Sequence, residues 1–119
     1  MVFVADSQSN HMTGNFENFE NLEKNLSLVG LTIERTPLVV QFNKRDLAAG
    51  LVPEDDIRQA WRPSGLPVHM ASALKGWGVL ETFREILVLT FDNVNARWGL
   101  TSRYGVDRAD FLTAILRTP

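Results

Sequence analysis

The 119-residue sequence contains no cysteine. That excludes a disulfide framework and thiolate metal sites, and it fits the reducing cytoplasm, where the chain is expected to reside. No apolar run approaches the roughly 20 residues that cross a bilayer, so no membrane span is expected. The first residues lack the basic start of a signal peptide. Neither sign of charge dominates: the net charge is −2, too weak a field to gather nucleic acid or anionic lipid. Repeats and low-complexity tracts are missing. Only two histidines occur, His11 and His69. They are far apart and have no neighbours at ligand spacing, so no metal site is expected and His69 reads as structural. What is present, 45% hydrophobic and 22% charged residues, is the ordinary make-up of one globular domain.

The most informative stretch is PLVVQFNKRDL, residues 37–47. An apolar run after a proline, stopped by Asn43-Lys44-Arg45-Asp46, reads as a buried strand with a polar loop at its carboxyl end. In open α/β sheets that end is where ligands bind. Residues 1–5, MVFVA, read as another buried strand. A buried strand opening the chain suggests the downstream part of something longer. Residues 9–29 carry Phe16, Phe19, Leu22, Leu26 and Val29 at helical spacing, with Asn15 and its polar neighbours on the other faces and Gly30 as the stop. Phe16 and Phe19 are read as core. Pro53-Glu54-Asp55-Asp56 opens a short helix to about Trp61, its acids suited to a helix start. A third strand covers residues 68–71, then a turn to Gly78, then a long helix over residues 79–96. In that helix Val79, Phe83, Ile86, Leu87, Phe91 and Val94 mark the expected buried stripe. The β-α-β-α-β-α order implies three parallel strands joined by right-handed crossovers. Residues 107–116 read as a terminal helix with no assigned chemistry.

FVADSQ, then NFENFENLEKNL, then NKRDL after a buried strand, then ASALKGWGVLETF, together resemble the bacterial MglA-like branch of the Ras-like small GTPases. The resemblance runs through residues 1–94 in order, and NKRDL is its most specific part. It implies an α/β fold that is part of the P-loop NTPase (Ras-like) architecture, with helices packed on a three-stranded parallel sheet. It also divides the chain into residues 1–96, the downstream half of a GTPase domain, and residues 97–119, an extension with one helix.

The implied ligand is GTP or GDP. By this resemblance Asp46 accepts two hydrogen bonds from guanine, Lys44 lays its stem over the base, and Asn43 braces the loop. Arg45 is solvated. Ser72 steadies the Asp46 loop, Ala73 donates its backbone N–H to the guanine oxygen, and Leu74 stands where the family carries lysine. Trp77, beside this turn, is a candidate cover for the nucleotide; Trp61, Trp77 and Trp98 are otherwise core or partner contacts.

The sequence has no GxxxxGK[ST], no DxxG before the first strand and no identifiable switch threonine. Those parts hold the phosphates and Mg²⁺ and position water in such GTPases. The resemblance therefore implies half a nucleotide site and no catalytic residue in this chain, with Mg²⁺ expected only in a complete domain. A base-only site should bind at roughly millimolar strength. The first strand should expose an edge that pairs with the missing half or with another copy. The intact family hydrolyses GTP and acts as a cell-polarity or gliding-motility switch, partnered by a roadblock-type activating protein. A degenerate GTPase remnant serving as a non-catalytic interaction module is the alternative, and a doubly wound domain with another ligand is a third.

Overall fold

A computed structural model describes residues 1–117. The last two positions of the expected extension, Thr118 and Pro119, lie outside the described residues. Three strands, β1 (Val2–Asp6), β2 (Val39–Asn43) and β3 (Val68–Met70), form one parallel sheet in the order β1-β2-β3. The helices are α1 (Met12–Leu28), α2 (Glu54–Trp61), α3 (Val79–Trp98), α4 (Leu100–Tyr104) and α5 (Arg108–Leu116). This is the α/β arrangement of a partial Ras-like fold.

β2 is central because its run is apolar on both faces. Val39, Val40 and Phe42 are fully buried, as a parallel strand covered on both sides requires. Val40 and Phe42 face α1 and α2, where they join Ala5, Phe19, Ile57 and Trp61. Trp61 is the hub, with ring centroids 5.0–6.0 Å from Phe3, Phe16, Phe19 and Phe42. Gln41 points to the other face, where its amide donates to Thr82 Oγ1 of α3 at 2.9 Å. The same threonine donates to the carbonyl of Gly78, so the polar pair is satisfied within the core.

Helix ends follow from local chemistry. α1 closes with Gly30 in the left-handed region (φ 80°) and paired bonds from Gly30 N to Ser27 O and Leu31 N to Leu26 O, a Schellman arrangement. α5 begins at a capping box, with Asp107 accepting from the Asp110 backbone and the reverse bond also present. It packs on α3 through Phe111 against Phe91 and through the two-toothed Arg108–Asp92 pair.

Several expectations need correction. α1 proper begins at Met12, after a 3-10 turn over Ser9–His11. Asn15, read as a solvent-side residue, is buried: its amide accepts from Asp6 N and donates to Asp6 O. Val29 is exposed because the helix has already turned away from the sheet. The expected single helix after residue 96 is joined by α4, a five-residue helix bracketed by Gly99 and Gly105. β1 is not fully buried: Val2 and Val4 are exposed, as are Val79 and Phe83 of α3. Both sets belong to the same side of the molecule. β1 is an edge strand, and no described helix covers that half of its face.

Candidate functional site

The carboxyl ends of the three strands meet at one rim. Asp6 ends β1 and is in register with Asn43 at the end of β2. From there the chain turns sharply. Lys44 adopts φ 70°, and Arg45 N returns to donate to Ala71 O just beyond β3. That return carries Asp46 to the β3 side, where its Oδ1 accepts from Ser72 Oγ at 2.7 Å. Ser72 is wholly buried, and its Oγ also accepts from Lys75 N. Asn43 Oδ1 accepts from Ala73 N at 2.8 Å. The NKRD loop and the SALKG turn are thus joined by two side-chain bonds, although 26 and 30 residues separate their partners.

The turn after β3 is shaped by Gly78. Its φ is 69°, and a Cβ there would come within 2.1 Å of Met70 O. Only glycine lets the chain pass so close and start α3 directly behind the rim. Ser72 N donates to Trp77 O across the same turn.

Of the residues singled out in the sequence, Asn43, Asp46, Ser72 and Ala73 are brought together here. Lys44 goes the other way, its ammonium 2.9 Å from Asp6 Oδ2. The Ala73 N–H, expected to be free for a ligand, is spent on Asn43. Arg45, expected in solvent, donates from Nη1 to Val52 O and ties down the following loop. Leu74 is exposed, and Trp77 in the same turn is more than half exposed. His69 stands apart, with Nε2 3.6 Å from Glu85 on α3. Asp55 and Asp56 lie in the first turn of α2, where their charge suits the helix amino end.

Asp6, Gln8 and Asn15 were not singled out as site residues in the sequence. Asp6 receives Lys44 Nζ, Gln8 N and Gln8 Nε2, with His11 Nε2 at 3.8 Å. Burial alone would raise its pKa, but Lys44 and the two Gln8 donors outweigh that and lower it to about 2. Asp6 is therefore a carboxylate throughout the physiological range. The one available signal was its place at the end of an apolar run, the same place from which NKRD attracts attention.

The larger hollows are elsewhere. One of about 430 Å³, lined by Thr36, Leu38, Pro67, Leu89 and Asn93 among others, lies at the amino ends of β2 and β3. Its polar lining, Glu34, Arg35, Thr36, Ser64 and Asn93, includes none of the candidate site residues, which gather at the opposite rim. Among the described residues no helix is long and apolar enough to cross a membrane.

No family model matches the chain. It is 41% identical over 92 residues to the mutual gliding-motility protein MglA of Myxococcus xanthus, a match covering 76% of this chain and 47% of that protein. The chain thus spans about half the length of the curated relative it matches. With that identity, the parallel three-stranded sheet and NKRD at the end of its middle strand, the chain matches about half of an MglA-like small GTPase.

Proposed function

We propose that the chain forms the guanine-reading part of a small-GTPase nucleotide site, with GTP or GDP as its ligand. The observation that carries this reading is the Ser72–Asp46 hydrogen bond. It holds an acid from the loop after β2 at the rim where α/β sheets take ligands. Asp46 Oδ2 accepts no hydrogen bond among the described residues. The carboxylate thus keeps acceptor capacity for two parallel donors, the ring N–H and exocyclic amine of guanine. Adenine has an acceptor at that ring position and would leave the acid unpaired, at a cost of about 1–3 kcal/mol. Ala73 N–H would serve the guanine oxygen if it is shared with, or released by, Asn43. The Lys44 stem would lie against the base, and Leu74 would border it.

Phosphates find no GxxxxGK[ST] in this sequence, so affinity for the chain alone is roughly millimolar. A half bearing GxxxxGK[ST], DxxG and a switch threonine would hold the phosphates and Mg²⁺. It would also pair with the free edge of β1 and cover Val2, Val4 and Phe83. In that completed form the reading extends to a cytoplasmic polarity or gliding-motility switch served by a roadblock-type activating protein. The exposure of those same residues favours a second reading, a non-catalytic module that docks a partner through the open side.

Titration of the chain with GDP and ADP, followed by NMR, separates the two. A preference for GDP that shifts toward the xanthine nucleotide in Asp46→Asn supports base reading, because xanthine's extra carbonyl suits an amide donor. Equal binding of GDP and ADP, or of neither even with the complementary half supplied, removes it and leaves the interaction module.

A further inference from the structure

We propose that Asp6 is a positioning residue for this site: it grips the Lys44 ammonium at the end of β1 and so sets the lysine stem in place for the purine before any ligand arrives. The inference rests on the guanine reading above.

Three observations carry it. Lys44 is the one non-glycine residue with positive φ among the described residues. Such a backbone state persists where its surroundings over-determine it. Here the surroundings include Asp6 Oδ2, 2.9 Å from Lys44 Nζ and 38 residues away in sequence. Second, the carboxylate is itself immobilised. Its Oδ1 accepts from Gln8 N at 2.9 Å and from Gln8 Nε2 at 3.1 Å. Third, the backbone beneath it is pinned on both polar groups by the buried Asn15. The anchor therefore stands on a rigid strand end, where a positioning group is most effective.

A surface ion pair of this kind adds little to stability, because Lys44 is half exposed and screened. Its effect is on binding. A lysine held at both ends has already lost the rotamer freedom that a free one would lose on meeting the base. Asp6 itself touches no ligand in this scheme and acts only through Lys44.

The test is a double-mutant cycle on the full chain, reading GDP and ADP affinity by NMR. Asp6→Asn should weaken GDP about three- to tenfold. Lys44→Met should weaken it by a similar factor, and the pair should be no worse than either alone. Asp6→Asn binding GDP like the wild type overturns the proposal. So does an Asp6→Asn loss that persists undiminished in the Lys44→Met background, the mark of a merely structural role. Side-chain relaxation of Lys44 in the unliganded wild type decides the matter even if Asp6→Asn fails to fold. Slower motion than at the exposed Lys24 and Lys75 is expected, and equal mobility overturns the clamp. A wild type with no preference for GDP sinks the guanine reading together with this inference. A wild-type preference for GDP with GDP affinity unchanged in Asp6→Asn sinks this inference alone.

Discussion

On one side of the sheet, Phe3, Ala5, Val40 and Phe42 are sealed beneath α1 and α2 around the Trp61 ring. On the other side, α3 covers β2 and reaches β3 through His69 and Glu85, but leaves Val2 and Val4 of β1 in solvent. The two sides use similar residues, so composition does not separate them. What differs is whether a neighbour is present to receive the side chain. Parallel strands are ordinarily covered on both faces. The contrast therefore marks the uncovered half of β1, with its free edge, as the surface that the proposed completing half or partner would cover.

The comparison can be broken most forcefully on the sealed side. Trp61→Ala removes the ring that four phenylalanines share. It should cost about 3–5 kcal/mol in urea unfolding, much of the stability a domain of this size has. Gly78→Ala tests the rim: a Cβ at φ 69° meets Met70 O, and about 2–3 kcal/mol of destabilisation is expected in the same assay.

The polar end of the open side should be sensitive to acid. The pKa of Asp6 is lowered, from 3.8 to about 2, so its stabilisation is fully present above the unfolded-state value. It is lost as pH falls from about 4 toward 2. The loss should be on the order of 1 kcal/mol, given the screening of half-exposed Lys44, and Asp6→Asn should abolish that pH dependence in urea melts. Val4→Lys should be the mildest change, within about 0.5 kcal/mol in stability because the side chain is already exposed. It should nevertheless reduce self-association in analytical ultracentrifugation if the β1 edge is what associates. A Val4→Lys variant as destabilised as Trp61→Ala would erase the distinction between the two sides.

Much of the fold was legible because its signals are local. The unbroken run at residues 38–42 marks a doubly covered strand, Gly30 marks a helix end, and the alternation of element types implies parallel pairing. The NKRD loop was legible for the same reason, since its residues are contiguous. Val79 and Phe83 were misjudged because periodicity reports which residues share a helix face, not whether anything lies against that face. Asn15 and Asp6 were missed because their roles depend on partners elsewhere in the fold. α4 was missed because five residues between two glycines carry too little periodicity to register.

By itself, then, the sequence determined the order of strands and helices, the apolar centre of the sheet and the chemical groups placed at its carboxyl rim, since each depends on residues adjacent in the chain. Tertiary structure alone decided that Asp46 meets Ser72, that Asn43 takes the Ala73 N–H, that Lys44 leans to Asp6, and that half of β1 is left open. Those outcomes depend on how separate segments lie against one another in space, and side-chain pairing over tens of residues is set by the packing that brings the strand ends together.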